Sequence, residues 1–310
     1  MVAELFVKVG QDVYDISESI TSVKFSETIN EGPSKLTFKM LNTGLQISNG
    51  SCVYFKYDGA EIFYGYIFKI DDGKGPEIDC TAYDQLRYLK VKKSFVLNKK
   101  TAGRFIKEVC YMFKMKWGHI ADTKYVIPLT SYSSQTFLDV FIDIMSQTLV
   151  GTNEYYIFRD EFGKVSLRNL KELTLNLVIG DDSLCYDYSR SFSIDGETYN
   201  KITYLNEAGE RIGEFDDLET QKKWGVLKKY EVVKEKIEPA QLEKLGKNML
   251  NLYNREEQTL DIKCIGDKRV RAGSSFHLAI GDKNINRNAI VKSVSHEFIP
   301  VHTMDLEVMM

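Results

Sequence analysis

Cysteine is scarce in this 310-residue chain, and its positions exclude two common kinds of structural site. The five cysteines are odd in number and far apart in the sequence, at Cys52, Cys80, Cys110, Cys185 and Cys264. A disulfide framework or a zinc cluster needs a closer and more regular spacing. Each cysteine lies in an apolar or strand-like context, so we predict reduced thiols that fill buried space.

Charge of one sign is also lacking, and so are long apolar runs. The formal net charge is −3 and the isoelectric point is about 5.9, whereas nucleic-acid-binding domains usually carry a basic stripe. No run approaches the roughly 18 apolar residues that cross a membrane. The first residues, Met1–Phe6, lack the basic region and apolar run of a secretion signal. The sequence therefore predicts a protein made in the host cytoplasm, with no membrane partner and no tight non-specific nucleic-acid binding.

Metal-binding motifs are missing as well. His296, Glu297 and His302 come nearest to a metal set, but their spacing differs from the His-Glu-x-x-His of a zinc helix. Pro300 also interrupts any helix there. We therefore predict no metal ligands, and we interpret both histidines as partly buried strand residues.

Candidate catalytic groups are equally weak. Asp71–Asp72 and Asp181–Asp182 adjoin glycines, as solvated turn residues do. Gly73–Gly75 lacks the Lys-Ser/Thr of a phosphate loop, and the chain has no Gly-x-Ser-x-Gly elbow. The lysines within 90–100 are typical of a solvated face, or of a contact with an acidic partner. The sequence thus predicts no catalytic residues, no cofactor-binding residues, no cofactor and no enzyme activity.

Aromatic residues are plentiful instead, with 18 tyrosines and 17 phenylalanines. In residues 1–90 apolar and polar residues alternate, as in Val23–Phe25 and Leu36–Met40, and this period of two predicts half-buried strands. Asp58-Gly59 separates two aromatic-rich runs and favours the tight turn of a hairpin. The second run is apolar on both faces, so we expect one face to meet a core and the other a neighbour. Its contact candidates are Ile62, Tyr64, Tyr66 and Phe68.

Residues 91–175 change to a helical period. Thr101 is a candidate cap for a helix with one apolar face, formed by Phe105, Ile106, Val109 and Phe113. A second helix is predicted over about Thr136–Leu149, with Gly151 as its stop signal. A hairpin over 155–168 follows, with its turn at Asp160–Gly163.

The remaining residues return to strands. The stretch Ile194–Leu205 begins with an Asp195-Gly196 turn signal, and we interpret it as the first long strand of a second β domain. Residues 207–221 are polar and indicate a loop or a long hairpin tip. Glu238-Pro239 starts a predicted helix over 239–253, because a proline is tolerated in the first turn. Tyr199 and Trp224 complete the set of contact candidates, although a tryptophan is more often a core anchor.

These patterns together predict a β-rich α+β fold. A first β-barrel domain would span 1–90, an α+β insertion 91–175, and a second β-barrel domain 176–310 with a helix near 239–253. The consecutive antiparallel strands of 1–90 suggest a small barrel or a sandwich, because closure removes their free edges.

The absence of a convergent polar set favours a component of a larger assembly. Two alternatives remain open. A cell-wall hydrolase would need paired carboxylates or a Cys/His set in one cleft. A receptor- or carbohydrate-binding module would need aromatic residues exposed in a groove.

Five segments in order resemble one family, the baseplate hub proteins of contractile phage tails. They are Tyr83–Lys90, Asp195–Lys201, Lys223–Leu227, Arg269–Ser274 and His302–Leu306. The branch they are similar to is that of PBSX-like defective prophages of Gram-positive bacteria and R-type bacteriocins. The resemblance covers essentially the whole chain.

The resemblance implies a structural role without catalytic residues. It implies a homotrimer with two tube-type β-barrel domains in each subunit, which gives six barrels in a ring. Such a ring is a symmetry adapter between the hexameric tail tube and the trimeric spike. Other baseplate or LysM-type tail proteins are further expected partners, and DNA is expected only in transit through the channel of the virion or bacteriocin tail.

Overall fold

Strands begin the chain in the computed structural model, which describes residues 2–233 and 237–310. The first seven strands, β1–β7, are Ala3–Val9, Asp12–Asp15, Ile20–Thr28, Lys35–Leu41, Cys52–Tyr57, Ala60–Asp71 and Glu77–Tyr83. They pair antiparallel, and alternate side chains are buried along most of them. The alternation of apolar and polar residues in the sequence therefore corresponds to the two faces of half-buried strands, one on the core and one outside.

β5 and β6 form the hairpin that the sequence predicts. Tyr57 pairs with Ala60 across a loop of two residues. Both loop residues have positive φ angles, 45° for Asp58 and 73° for Gly59. This is the type I′ geometry, whose twist matches that of the flanking strands.

The middle of the chain combines two helices with short strands. Strands β8–β14 are Lys92–Leu97, Lys100–Thr101, Trp117–Ile120, Val126–Ile127, Thr130–Thr136, Tyr156–Asp160 and Val165–Asn169. Helix α1 spans Ala102–Met112, and Thr101 caps it by accepting a hydrogen bond from the Arg104 amide. Its predicted apolar face is confirmed, because Phe105, Ile106 and Val109 are buried and Phe113 packs against the same core.

Helix α2 spans Phe137–Thr152 and ends later than predicted. Thr136 and Asp139 form a reciprocal capping box at its start. The prediction that Gly151 stops the helix is wrong, because the left-handed residue that ends it is Asn153. A Cβ atom at Gly151 would lie 2.3 Å from the Tyr125 ring. The glycine is therefore explained by close packing rather than by helix termination.

The last part of the chain supplies nine strands and two helices among the described residues. Strands β15–β23 are Thr174–Gly180, Cys185–Ser193, Lys201–Leu205, Arg211–Asp216, Lys228–Val232, Glu257–Ile265, Ser275–Ile280, Ile285–Ile299 and Thr303–Met309. Helix α3 spans Leu218–Trp224 and helix α4 spans Pro239–Tyr253. The helix expected over 239–253 is thus confirmed, with Pro239 in its first turn.

Thirteen strands from both ends of the chain join in one sheet. Its order is β16-β20-β23-β22-β3-β4-β7-β6-β5-β1-β2, and β21 links β15 to β22. The 15-residue strand β22 is the junction, because its first part pairs with β21 and its second part pairs with β3. The sheet divides there into a first half, β1–β7, and a second half, β15, β16 and β20–β23.

Each half covers its own hydrophobic core. The first core contains Leu5, Phe25, Phe38 and Phe55, together with Phe298 from the end of β22. The second core is built from β15 and β20–β23, largely from isoleucine, leucine and valine. β22 contributes to both cores, so one strand ties the two halves together.

The predicted β-rich α+β class with antiparallel strands at both ends is confirmed. Each half of the main sheet covers a core of its own, and in the described part of the chain the hydrogen-bonded order of the sheet runs open from β16 to β2. The two β units seen in the sequence are therefore two halves of one continuous sheet that shares β22.

A small unit, built from β17–β19 and helix α4, interrupts the second half of the main sheet. It shows that the interpretation of Ile194–Leu205 is wrong. Ile194–Leu205 does not begin the second half of the main sheet, because its strand, β17, starts only at Lys201 and lies in a separate sheet of order β18-β17-β19. Helix α4 packs on this sheet through Leu242 and Met249. The aromatic and β-branched residues of the stretch predict a strand correctly, but partners distant in sequence decide which sheet it joins.

Candidate interaction surfaces

β6 carries four of the six predicted contact residues, and the structure divides them between two environments. Ile62 is buried in the first core. Tyr64, Tyr66 and Phe68 are half-buried and alternate with core residues, so they lie on the outer face of the sheet. β6 therefore carries apolar side chains on both faces, as predicted. A contact between its outer face and a neighbouring subunit stays a prediction.

The outer face of the first half carries a continuous aromatic surface. We call it the outer aromatic surface, and it comprises Phe6, Tyr54, Tyr64, Tyr66, Phe68, Tyr88 and Phe162. Tyr66 and Tyr88 have ring centroids 5.6 Å apart, and Tyr64 and Phe162 are 5.8 Å apart. Tyr88 belongs to the short helix Gln85–Lys90, and Phe162 to the β13–β14 turn. Other segments of the same chain therefore already cover part of this surface.

Tyr199 and Trp224 lie elsewhere, in and beside the small unit. The Tyr199 ring lies 6.0 Å from that of Tyr253, and the Lys229 ammonium is 4.9 Å from its centroid. Trp224 ends helix α3, and Lys223 lies over its ring at 4.9 Å. The six predicted residues thus occupy at least two separate regions, and their role in contacts stays a prediction.

A buried ionic cluster joins the two halves to the middle of the chain. Glu27 on β3 accepts hydrogen bonds from Arg271 Nε at 2.9 Å and from the Ala272 amide at 2.8 Å. Arg271 also donates to the Asp160 carbonyl at 3.1 Å, and Arg159 donates to the Ala272 carbonyl at 3.1 Å. Burial raises the pKa of Glu27, but the charge and hydrogen bonds of Arg271 outweigh it and hold the pKa below its usual range.

A second pair of carboxyl groups lies beside this cluster. Asp84 accepts hydrogen bonds from the amides of Ser34 at 2.7 Å and Leu86 at 2.8 Å. Asp160 accepts one from Gln85 Nε2 at 2.7 Å. Burial and the nearby Asp160 charge raise the pKa of Asp84 to about 8. The first half and the middle unit are therefore fixed to each other by buried polar contacts.

His296 and His302 form a buried pair where the two halves meet. His296 Nδ1 lies 3.1 Å from His302 Nε2, and His296 Nε2 lies 2.8 Å from the Val270 carbonyl. The His302 ring also stacks on Phe298, with centroids 4.5 Å apart. Burial lowers the pKa of both histidines, and burial with the neighbouring His296 lowers that of His302 to about 4. Both residues are more completely buried than the sequence interpretation expects.

The two terminal strands of the main sheet expose apolar side chains. β2 is exposed along its whole length, including Val13 at 52% and Tyr14 at 40%. β16 exposes Tyr186 at 59% and Phe192 at 52%. Each of these strands has a strand partner on one side only in the described sheet. The opposite ends of the sheet thus present free backbone groups beside apolar surface.

Neither a cluster of metal-ligating side chains nor a membrane-spanning helix is found in residues 2–233 and 237–310. No group of three or more His, Cys, Asp or Glu side chains there is arranged to hold a metal ion. No helix in those residues combines the length and apolar character needed to cross a bilayer.

Sequence reasoning missed the ionic cluster and the exposed edges. A signal for the cluster exists, because Glu27 follows Val23 and Phe25 at the spacing of core-facing residues on β3. A carboxylate at such a position needs a partner. The edges have no local signal, since strand order depends on pairings between distant parts of the chain.

Comparison with known proteins matches most of the chain to one family. A family model described as YqbQ-like matches residues 23–309. The phage-like element PBSX protein XkdQ of Bacillus subtilis is 26% identical over 277 residues, which cover 86% of this chain and 83% of XkdQ. The predicted resemblance to proteins of PBSX-like elements is thus confirmed.

Two solved structures share the fold at low sequence identity. The tail protein from Neisseria meningitidis MC58 has a TM-score of 0.75 and 12% identity, covering 100% of this chain and 97% of that protein. The Escherichia coli type VI secretion protein c3393 has a TM-score of 0.62 and 8% identity, covering 98% and 76%. That protein is described as structurally similar to the phage T4 tail proteins gp27 and gp5.

Proposed function

The chain belongs to the YqbQ-like family, and we propose that it is a structural hub in the baseplate of a contractile tail. In this role three copies join the hexameric tail tube to the trimeric spike in a virion or bacteriocin tail. Residues 1–90, 91–175 and 176–310 would serve as its three domains. The relationship to XkdQ and the fold shared with tail proteins support a tail component.

The exposed edges at both ends of one sheet carry the proposal for a ring. An unpaired edge strand presents N–H and C=O groups that a second chain can satisfy. β2 and β16 lie at opposite ends of the strand order, so they are different surfaces. A contact between β2 of one copy and β16 of the next is therefore head-to-tail, and it closes into a ring if the rotation is suitable.

The apolar side chains at these edges favour the same arrangement. Tyr14 pairs with Val7, whose side chain is in the first core, so Tyr14 points to the core side of the sheet. Arg190 pairs with Leu260, which is buried in the second core, so Arg190 lies on the core side of the sheet. Phe192 lies two residues further along β16 and therefore points to the same side. Both exposed rings thus extend the core faces beyond the last strand. A neighbouring subunit would remove them from water.

Charges on the outer face of the sheet are paired rather than uniformly basic. Lys24 lies 3.2 Å from Glu297, Lys39 lies 3.3 Å from Asp79, and Lys263 lies 3.1 Å from Asp187. If this face lines the channel, DNA in transit meets a surface with few unpaired cations and is weakly retained. The proposed partners are the tube protein, the spike protein and other baseplate or LysM-type tail proteins.

A carbohydrate-binding role has weaker support than the hub role. The outer aromatic surface is its best candidate, but the Tyr66 and Tyr64 rings contact Tyr88 and Phe162 of the same chain. A sugar would have to displace these rings to stack on β6. The aromatic contacts therefore favour internal packing.

Imaging of assembled tails at side-chain resolution tests the hub directly. We expect three copies between a six-fold tube and a three-fold spike. Six copies, or a location on the outer fibres, would refute the adapter role.

A proline substitution tests the edge contact separately. Val9 and Asp12 close a two-residue hairpin, so their pair is hydrogen-bonded and the next pair, Lys8 with Val13, is not. The Val13 N–H therefore points away from β1. Val13→Pro removes this donor without breaking the β1–β2 ladder, and we expect assembly to fail although the isolated chain folds.

Val13→Ala is the matched control for the edge test, because it shortens the side chain but keeps the N–H. We expect it to assemble better than Val13→Pro in electron micrographs of tails. Normal assembly of the proline variant would rule out strand pairing through β2.

A further inference from the structure

We propose that Cys185 and Cys264 form a reversible disulfide between β16 and β20 when the protein meets a low-molecular-weight disulfide such as oxidised glutathione. Both residues are free thiols in the structure. They face each other directly in the antiparallel register of the two strands. The inference does not depend on the proposed hub function.

The local hydrogen-bond pattern places the two cysteines in the closer kind of cross-strand pair. The Ile265 amide donates to the Leu184 carbonyl at 2.9 Å, which marks the preceding pair as hydrogen-bonded. Pairs alternate along an antiparallel ladder, so Cys185 and Cys264 form a non-hydrogen-bonded pair with Cα atoms about 4.5 Å apart. Disulfides span Cα separations of about 4.4–6.8 Å.

The side chains also lie on the same side of the sheet. Cys264 is fully buried in the second core, and Cys185 packs against that core from the edge strand. A register shift follows Cys185 and separates it from the regular pairing that resumes at Asp187. The Cys185 thiol donates a weak hydrogen bond to the Asp187 carbonyl at 3.6 Å, so the side chain must rotate away from this contact to reach Cys264.

The other three cysteines have different neighbours. Cys52 pairs with Lys8 and Tyr66, and Cys80 pairs with Phe38 and Ile70. Cys110 lies in helix α1, within the middle core. Cys185 and Cys264 are therefore the pair of cysteines that the strand register brings together.

Thiol–disulfide exchange supplies a balanced reaction in two steps. The Cys185 thiolate first attacks one sulfur of oxidised glutathione, which forms a mixed disulfide and releases one glutathione thiolate. Cys264 then loses its proton and attacks the Cys185 sulfur, which forms the protein disulfide and releases the second glutathione. Two protein thiols are oxidised, and one glutathione disulfide is reduced to two thiols.

We infer the order of these steps from the solvent accessibility and the pKa values of the two thiols. Cys185 is half-buried on the edge strand, so it meets the oxidant first. Burial raises the pKa of both thiols, and it raises that of Cys264 to about 12. The second step is therefore the slower one, and it accelerates as the pH rises.

The bond would close a loop that contains the entire small unit. The segment between Cys185 and Cys264 includes β17–β19, α3 and α4. It would also fix β16 to β20 covalently, at one end of the main sheet. The modification thus gives the exposed edge a redox-dependent stability.

Peptide mapping of the full-length chain tests the proposal. The folded protein is incubated with oxidised glutathione at pH 8–9, and remaining thiols are alkylated in denaturant before tryptic digestion without reductant. We expect peptide 172–190 linked to peptide 264–268, with an intact-mass loss of about 2 Da for the two hydrogens removed. Dithiothreitol should restore two thiols.

Two controls distinguish this bond from general oxidation. Cys52 is also half-buried but has no cysteine opposite, so it should stop at the glutathione adduct or stay free. Cys264→Ala should trap Cys185 as its glutathione adduct. Wild-type protein that retains only this adduct, or links Cys185 to another cysteine or another copy, would overturn the proposal.

Discussion

The two halves of the main sheet each cover a hydrophobic core, but the two cores are built from different side chains. The first core buries four phenylalanines from its own strands, Phe25, Phe38, Phe55 and Phe63. The second core, in the residues that the structure describes, contains one buried phenylalanine, Phe276, among smaller aliphatic residues. The two halves thus share their pattern of strand pairing but not their core residues. Protein cores tolerate different apolar residues when the total volume is kept.

The halves also differ in how their strands follow in sequence. β3–β7 are consecutive and lie within 64 positions, from Ile20 to Tyr83. In the second half, the small unit separates β16 from its partner β20. Local hairpins therefore define much of the first half, whereas the second half depends on pairing across a long insertion.

Removing the link between the halves should have the largest effect. Arg271→Ala leaves the buried Glu27 carboxylate without its cationic partner, and we expect a loss of about 3–5 kcal/mol in unfolding free energy. Urea denaturation measures this loss. Lys24→Ala is the control, because the Lys24–Glu297 pair is exposed and such pairs contribute about 0–1 kcal/mol. Equal losses in the two variants would show that the cluster does not join the halves.

The second core should be sensitive to its single phenylalanine. Phe276→Ala creates a cavity among aliphatic neighbours, and we expect it to cost about 3–5 kcal/mol. Phe192→Ala, at an exposed position on β16, should change the stability of the isolated chain by about 0.5 kcal/mol or less. Similar denaturation midpoints for both variants would contradict the assignment of Phe276 to a packed core.

Acid should weaken the contact between the halves through His302. Its pKa is about 4 in the folded chain and about 6.5 when unfolded, so the unfolded state binds the proton more tightly. The stability contributed by neutral His302 is complete above pH 6.5 and is lost as pH falls through about 4, by about 2–3 kcal/mol. The charged groups that influence the two histidines are Asp58, Lys268, Asp267, Glu27 and Arg271.

His302→Phe keeps a ring at this position and removes the titration. Unfolding free energies measured from pH 7 to pH 4 should therefore fall less steeply in this variant than in the wild type. The carboxylates titrate in both proteins, so the difference reports the titration of the buried His296–His302 pair. An unchanged slope in His302→Phe would contradict the prediction.

Local chemistry explains which parts of the fold the sequence reveals. The turn at Asp58-Gly59, the cap at Thr101 and the proline at Pro239 each act within a few residues, and each prediction is confirmed. The prediction that Gly151 ends helix α2 is wrong because this glycine makes room for the ring of Tyr125, which is distant in sequence. The strand after Ile194 is assigned to the wrong sheet because β18 and β19, rather than the main sheet, pair with it.

The candidate surfaces are less visible in the sequence than the fold. Apolar residues on both faces of β6 indicate a second covered face, but they do not reveal that Tyr88 and Phe162 supply part of the cover. Contacts between subunits depend on shape and on free edges, and these arise only when the strand order is known. The role of Ile62, Tyr64, Tyr66, Phe68, Tyr199 and Trp224 in contacts therefore stays a prediction.

The smallest expected effect tests whether the first half depends on local turn chemistry. An added Cβ at Gly59 or at Gly73 would meet no atom within 4 Å outside the glycine and its two chain neighbours, so the two sites differ in backbone conformation rather than in space. Gly59 has a φ of 73°, whereas Gly73 is not among the residues with positive φ. We expect Gly59→Ala to cost about 1–2 kcal/mol, because a left-handed conformation brings Cβ close to the following carbonyl oxygen.

Gly73→Ala should be neutral or stabilise the chain by up to about 1 kcal/mol, because it restricts only the unfolded state. Thermal unfolding of the two variants side by side measures the difference. Equal melting temperatures would mean that the strand ladder, rather than the Asp58-Gly59 turn, sets the register of β5 and β6. The first half would then depend on long-range pairing as much as the second half does.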